Sequence, residues 1–184
     1  LPDLKASQYE TDEITTGIDV SEFQGNIDWK AVADSGIDFA MIRVGYRGMK
    51  NGEIKEDACA KYNLQEASKN GLKIGAYFFS TAVTEEEAKE EAEWTKNLLS
   101  GYPVTYPVAY NCEGFQNPSS RQFELSVEER TKLADAFLKS IEEGSYTGMF
   151  YAAKNELDDN NLWNADDLSL NYRIWVAQYS DQTW

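Results

Sequence analysis

Short apolar runs alternate with longer amphipathic runs along this chain of 184 residues. The short runs are rich in β-branched and aromatic residues and are bounded by Gly, Pro, Asn or Asp, which is typical of β-strands. Six strands are predicted, within residues 16–20, 38–46, 73–80, 105–113, 147–153 and 172–180.

The amphipathic runs between these strands have the spacing of helices. Four helices are predicted, within residues 28–36, 55–71, 84–101 and 126–144. The third begins with Thr84 followed by three acids, and the fourth begins with Ser126 and ends at Gly144. A hydroxyl at the N-cap and acids in the first turn bind free backbone N–H groups and complement the helix dipole.

The repeated order of strand and helix predicts an α/β fold, because right-handed crossovers bring successive strands into one parallel sheet. That sheet is either an open doubly wound sheet or a barrel. No Gly-x-Gly-x-x-Gly or phosphate-binding loop follows any predicted strand, which disfavours a nucleotide-binding open sheet. We therefore predict a (β/α) TIM-like barrel, incomplete because six strands are predicted where the closed form has about eight.

Composition narrows the function classes. Thirty-two acidic and 17 basic residues give a net charge of −15, which disfavours nucleic acid as a partner because phosphates require Lys and Arg. No apolar run reaches the roughly 20 residues of a membrane-spanning helix. One compact domain is expected from a hydrophobic content of 42%, and we expect a monomer.

The absence of His removes several chemistries. A Ser-His-Asp triad, a Cys-His pair and a His-ligated zinc site cannot be built. The two cysteines, Cys59 and Cys112, lack metal-like spacing, and buried free thiols are expected rather than a disulfide. We predict neither a metal nor a cofactor.

Polar side chains cluster where the predicted strands end, at Asp19, Tyr46, Tyr77, Asn111, Glu113, Gln178 and Tyr179. The carboxyl ends of the strands form the rim on which parallel barrels build their active sites. Because side chains alternate along a strand, Asn111 and Glu113 point to one face, while Tyr110 and Cys112 point to the other.

Five ordered segments carry a resemblance to a known family. They read GIDVSEFQGNIDW (17–29), FAMIRVGYRG (39–48), GLKIGAYFFS (71–80), YPVAYNCEGF (106–115) and YRIWVAQYS (172–180). The chain resembles the family 25 glycoside hydrolases, the bacterial and phage N-acetylmuramidases called Chalaropsis-type lysozymes. The resemblance implies an acidic lead or linker at 1–16 and a catalytic barrel at 17–184 whose closing C-terminal strands are absent from this chain.

The resemblance also implies an activity and a place of action. The activity is hydrolysis of the β-1,4 bond between N-acetylmuramic acid and N-acetylglucosamine, with the glycan strands of peptidoglycan as the partner. The protein would act at the bacterial cell wall, either secreted or released there by a phage or mobile element.

The family carries an acid at the end of its first strand and an Asp-x-Glu pair on its fourth, positions that fall on Asp19, Asn111 and Glu113. Glu113 is the candidate proton donor, and Asp19 is a candidate base or electrostatic support. Asn111 replaces the usual Asp, which orients the substrate's N-acetyl group during a neighbouring-group reaction. An amide retains the hydrogen bonds and loses the charge, so turnover should fall more than binding, whether the Asn is natural or introduced.

Further rim side chains are candidates for sugar binding, because sugars pack on aromatic rings and form hydrogen bonds in clefts. They are Tyr46, Tyr77, Phe79, Tyr110, Trp175, Gln178 and Tyr179, although the aromatic ones could instead be core residues. Arg43 is expected to pair with rim carboxylates, or alternatively to contact the muramyl peptide.

Two other functions fit the same residues. A non-catalytic glycan-binding module would keep the groove and lose the chemistry at Asn111. A chitinase or endo-N-acetylglucosaminidase would also use a pair of residues ending the fourth strand. The new reducing end distinguishes the hydrolases, since a muramidase leaves muramic acid and the alternative enzyme leaves glucosamine.

Overall fold

The computed structural model describes residues 14–158 and 162–179, so most of the predicted N-terminal lead lies outside the described residues. The strands are β1 (Gly17–Val20), β2 (Phe39–Arg47), β3 (Ile54–Glu56), β4 (Lys73–Phe79), β5 (Val104–Asn111), β6 (Gly148–Ala153) and β7 (Arg173–Ala177). The helices are α1 (Trp29–Asp34), α2 (Ala60–Lys69), α3 (Glu85–Leu99), α4 (Val127–Glu143), α5 (Lys154–Leu157) and α6 (Ala165–Asn171). All six predicted strands and all four predicted helices are confirmed, whereas β3, α5 and α6 were not predicted.

Six strands form one parallel sheet in the order β1-β2-β4-β5-β6-β7, and β3 pairs antiparallel with β2. Although β1 and β7 stand at opposite ends of this order, residues from both line the same cleft. The sheet is therefore curled into a half barrel. The predicted α/β fold with a parallel sheet is confirmed.

The hydrophobic core lies between the convex face of the sheet and the helices. Phe78 of β4, Tyr110 of β5 and Phe150 of β6 are fully buried there. Phe137 of α4 packs against both Phe78 and Tyr110, with ring centroids 6.2 and 5.3 Å apart. Burial of each large apolar side chain stabilises the fold by roughly 1.5–3 kcal/mol, so this layer holds β4, β5 and β6 in place beneath the site.

The two long helices begin as their sequences predicted. The Thr84 hydroxyl accepts from the Glu87 N–H at the start of α3, and Ser126 forms a reciprocal capping box with Glu129 at the start of α4. These caps fix the loops that follow β4 and β5, which are the loops nearest the predicted rim. No helix in the described ranges is long and apolar enough to cross a membrane.

Little space remains on the concave face of the sheet beside Gly75, near the middle of β4. Gly75 is in register with Met41, and a Cβ on Gly75 would lie 2.5 Å from Met41 Sδ and 2.6 Å from the Pro107 carbonyl oxygen. Only glycine fits there without displacing the backbone of β5. This close approach packs β4 against β2 and β5 at the level of Met41 and Pro107.

Candidate active site

A cleft of about 700 Å³ runs along the concave face between β1 and β7. Asp19 and Trp175 lie on its wall towards the carboxyl ends of the strands, and Phe39, Tyr106 and Arg173 line its opposite end. The wall is mostly apolar with a few polar groups, as in sites that bind small molecules and sugars. Of the predicted site residues, Asp19 and Trp175 line this cleft, whereas Asn111 and Glu113 at the end of β5 are not among its lining residues.

The end of β5 carries the two residues predicted to share a face. Asn111 is the last residue of the strand and is 6% exposed, while Glu113 is exposed to solvent. Asn111 Nδ2 donates a hydrogen bond to Glu113 Oε2 over 3.3 Å, which confirms that both side chains point the same way. Asn111 Oδ1 is buried and has no partner within the described ranges, so a ligand N–H or a water would satisfy it.

Asp19 is the third residue of β1 and is exposed to solvent at the edge of the cleft. The atoms around it still remove part of its hydration, and this desolvation raises the pKa of the carboxyl group. A hydrogen bond from its own backbone partly offsets the increase. The protonated form of Asp19 is therefore more accessible than that of a free surface acid.

Tyr151 of β6 lies between the end of β5 and Trp175 of β7, and sequence reasoning missed it. It is in register with Asn111 on one side and with Trp175 on the other. Burial raises the pKa of Tyr151, and the negative charges of Glu113 and Asp19 raise it further. Tyr151 therefore lies beside the pair at the end of β5 and beside Trp175, which shares the cleft wall with Asp19. The alternation of β6 within the predicted strand 147–153 was the signal that could have identified this residue.

An aromatic wall stands beside Asp19. Trp175 packs edge-on against Tyr151, with ring centroids 4.8 Å apart, and against Tyr77 at 6.2 Å. Burial raises the pKa of Tyr77 to about 12, with a further contribution from the charge of Asp19. The structure therefore brings two of the predicted candidates, Tyr77 and Trp175, together next to the first acid.

Arg43 of β2 pairs with two carboxylates near the end of β1. Its Nε donates to Asp57 Oδ2 over 2.7 Å, and its Nη2 donates to Glu22 Oε1 over 3.0 Å. Asp57 is fully buried and also accepts from the backbone N–H of Glu22 at 3.0 Å. Arg43 thus has carboxylate partners, one of the two alternatives from the sequence, but neither Glu22 nor Asp57 was identified beforehand.

The remaining candidates form two groups, one half-buried on the strands and one exposed after β7. Tyr46 and Phe79 are half-buried and lie in register with each other, and Phe79 is in register with Asn111. Gln178 and Tyr179 follow β7 and are exposed, Tyr179 to 94%.

The structure corrects the prediction that Tyr110 binds substrate. Tyr110 is fully buried, and its ring lies 5.3 Å from Phe137 and 6.4 Å from Phe150, between centroids. It points into the core because it is one residue from Asn111 on a strand, where neighbouring side chains face opposite sides.

The two thiols are free, with Cys112 buried and Cys59 half-buried. Burial raises the pKa of Cys112 to about 12, and its Sγ donates to Gln122 Oε1 over 3.2 Å. A buried thiol of this kind is a poor nucleophile. Across 14–158 and 162–179, no group of three or more His, Cys, Asp or Glu side chains could hold a metal ion.

Comparison with known proteins identifies sequence relatives. Residues 18–183 match the family model of the glycosyl hydrolases family 25. The chain is 29% identical over 164 residues to an autolytic lysozyme of Clostridium acetobutylicum, covering 89% of this chain and 44% of the relative. It is 29% identical over 175 residues to the uncharacterized protein YegX of Escherichia coli K12, covering 89% of this chain and 56% of that protein. The chain thus spans about half the length of these curated relatives.

Solved structures share the fold. The modular autolysin LytC of Streptococcus pneumoniae superposes with a TM-score of 0.79 at 24% identity, covering 94% of this chain and 39% of that one. The spore cortex lytic enzyme SleM of Clostridium perfringens superposes with a TM-score of 0.75 at 21% identity, covering 92% of this chain and 55% of that one. A family 25 glycosyl hydrolase from Bacillus anthracis superposes with a TM-score of 0.70 at 23% identity, covering 91% of this chain and 72% of that one. With the family match extending over nearly the whole sequence, the chain belongs to family 25 of the glycosyl hydrolases.

Proposed function

We propose that this chain hydrolyses the β-1,4 bond between N-acetylmuramic acid and N-acetylglucosamine in peptidoglycan. The observation that carries the proposal is the pair at the end of β5, where Asn111 donates to Glu113 and lies in register with Tyr151. The Tyr151 ring packs on Trp175, which lines the same cleft as Asp19. Glycoside hydrolysis requires a proton donor for the leaving oxygen and negative charge near the oxocarbenium-like centre. Membership of family 25 and similarity to an autolytic lysozyme support peptidoglycan as the substrate.

Glu113 is the proton donor in this proposal. It is exposed at the mouth, where a glycosidic oxygen can approach it. Because Asn111 Nδ2 donates to Oε2 of Glu113, that oxygen serves as an acceptor. The transferable proton therefore resides on Oε1 in this proposal.

Asn111 and Asp19 act on the sugar ring. The partnerless Oδ1 of Asn111 accepts the N–H of the substrate's acetamido group and orients its carbonyl for neighbouring-group attack. An amide does not stabilise the positive charge that develops in this step, so turnover is reduced relative to an Asp. Asp19 supplies negative charge from β1.

We extend the same proposal to the barrel, the N-terminal lead, the oligomeric state and the place of action. The curled sheet is the larger part of an incomplete (β/α) TIM-like barrel over residues 17–184, and residues 1–16 form a lead or linker. We propose that the protein acts as a monomer. The net charge of −15 favours a neutral glycan over nucleic acid. The site of action is the bacterial cell wall, reached by secretion or by release from a phage or mobile element.

Digestion of purified cell walls tests the proposed function. The chain and its Asn111→Asp variant are expected to lower wall turbidity and to create new reducing ends of muramic acid. Reducing ends of glucosamine would instead identify an endo-N-acetylglucosaminidase.

A glycan-binding module is the second candidate, and the neutral amide of Asn111 is the observation that favours it. Strong glycan binding with no cleavage by either the chain or Asn111→Asp would establish this alternative and refute the hydrolase.

A further inference from the structure

Phe23 is a large exposed apolar side chain close in sequence to Asp19, which lines the cleft. It lies on a short 3-10 helix, Glu22–Gln24, which begins three residues after Asp19, and it is 80% exposed. Single exposed apolar residues are common on protein surfaces and need no function. What distinguishes Phe23 is that the structure around it is rigid.

Hydrogen bonds fix the turn that carries Phe23. Ser21 Oγ accepts from the Phe23 N–H at 3.3 Å, and Gln24 Oε1 accepts from the Ser21 N–H at 2.8 Å. The turn ends at Gly25, whose φ of 64° suits glycine and whose N–H donates to the Glu22 carbonyl at 3.0 Å. A side chain held on such a turn loses little backbone freedom when it binds a ligand.

A cation lies against one face of the ring. The guanidinium carbon of Arg43 is 4.8 Å from the centroid of Phe23 and 5.3 Å from that of Tyr46. Arg43 is 8% exposed and is held by its ion pairs with Glu22 and Asp57. The cation–π contact fixes the orientation of the Phe23 ring and leaves its other face to solvent.

The charges at this corner select the kind of ligand. Glu22 and Asp57 together with Arg43 sum to one negative charge, which disfavours the carboxylates of a wall peptide. An uncharged sugar ring presents a face of C–H groups that packs on an aromatic ring without requiring a counter-charge. Of the two sugars in peptidoglycan, N-acetylglucosamine is the one without the acidic lactyl group.

The position of Phe23 is continuous with the proposed active site. Tyr46 contacts the same guanidinium group as Phe23 and is in register with Phe79, which is in register with Asn111. These side chains form a path from the catalytic pair on β5 to the end of β1. We propose that Phe23, backed by Arg43, is a platform for an N-acetylglucosamine ring of the glycan strand, at a subsite beyond the reacting bond. This inference rests on the proposed function, whose substrate-binding path it extends.

Binding of peptide-free glycan strands tests the platform directly. Titration calorimetry would compare the chain with Phe23→Ala, Phe23→Trp and the control Leu170→Ala, which removes an apolar side chain that is 82% exposed on α6. We expect Phe23→Ala to raise Kd about tenfold, because a stacked ring is lost. Phe23→Trp should bind like the unmodified chain, as should Leu170→Ala, and added salt should not change the ratio between variants. All variants should unfold at the same temperature, since both positions are on the surface.

Three results would overturn the platform. They are unchanged binding by Phe23→Ala, an equal loss in Leu170→Ala, or a loss that salt abolishes and that occurs only with peptide-bearing strands. The last result would indicate a stem-peptide contact instead.

A wall-cleavage assay distinguishes a failure of the Phe23 platform from a failure of the proposed hydrolase. If Asn111→Asp cleaves walls with the same KM whether or not Phe23 is replaced by Ala, the platform is refuted and the hydrolase stands. If glycan binding depends on Phe23 but Asn111→Asp cleaves nothing, the platform stands and the hydrolase is refuted.

Discussion

Asn111 donates a hydrogen bond to Glu113 over 3.3 Å, and the carbonyl oxygen of the same amide is buried without a partner in the described part of the chain. One amide therefore orients the candidate acid with its nitrogen and leaves its oxygen for a ligand. An Asp at this position would place a second carboxyl group beside Glu113. Two carboxyl groups this close share a proton, which favours the protonated form that a general acid needs.

Asn111→Asp should therefore increase the rate of wall cleavage by at least about tenfold at neutral pH. The gain should be in kcat, because the amide already supplies the hydrogen bonds used in binding. Turbidity loss of purified walls would measure it. Asn117→Asp is the matched control, since it adds the same charge at an exposed position on the loop after β5. Equal rates for the chain and Asn111→Asp would contradict the assignment.

Glu113→Gln should lower kcat by about 100-fold or more, the usual contribution of a general acid. The Gln carbonyl can still accept from Asn111 Nδ2, so the geometry of the pair is retained. Glycan affinity should stay within about twofold by titration calorimetry. Glu124→Gln removes an exposed acid from the same loop and should leave kcat unchanged. A loss of binding as large as the loss of turnover would show that Glu113 positions substrate instead of donating a proton.

Tyr151→Phe should reduce kcat about tenfold with little change in KM. The ring and its packing against Trp175 are retained, and only the hydroxyl, whose pKa the charges of Glu113 and Asp19 raise, is removed. Steady-state kinetics on soluble glycan would separate kcat from KM. Tyr62→Phe is the control, because that hydroxyl donates to the Ile27 carbonyl outside the cleft. A higher KM at constant kcat would assign Tyr151 to substrate binding alone.

The sequence predicted the parts of the site that depend on local periodicity. Alternation along the predicted strand 105–113 placed Asn111 and Glu113 on one face, although β5 itself ends at Asn111. The ends of β1 and β5 could be located to within two residues from the residues that bound each apolar run. The same rule excluded Tyr110 from that face. Tyr110 was a candidate only as an aromatic residue that could pack on a sugar, and the structure shows the alternative, a core residue.

Contacts between distant segments could not be predicted in this way. Asp57 lies 14 residues from Arg43 and 35 from Glu22, and its burial depends on how β3 folds back on β2. The strand β3 has only three residues, too few to show a period. Tyr151 became recognisable only through its register with Asn111, which sequence periodicity does not determine.

Glu91 of α3 is a buried acid behind β4 and β5. It is fully buried, and its Oε1 accepts from Arg47 Nε over 2.7 Å while its Oε2 has no partner in the described ranges. Burial raises the pKa of Glu91 to about 7, although hydrogen bonds from Ser80 and Arg47 and the charge of Arg47 lower it. Desolvation therefore outweighs the ion pair at this position.

This raised pKa makes stability depend on pH. Between about pH 4.5 and 7 the unfolded chain has lost the Glu91 proton while the folded chain keeps it, so the free energy of unfolding falls as pH rises. Glu91→Gln removes that contribution. Relative to the unmodified chain, the variant should gain about 2–3 kcal/mol in unfolding free energy on going from pH 5 to pH 8.

Urea denaturation of both proteins at these two pH values would measure the change. Glu90→Gln is the matched control, because Glu90 also pairs with Arg47 over 2.7 Å but is mostly exposed. Its pH dependence should follow that of the unmodified chain. Parallel stability curves for Glu91→Gln and the unmodified chain would mean that the ion pair with Arg47 keeps Glu91 ionised and that burial does not control its proton.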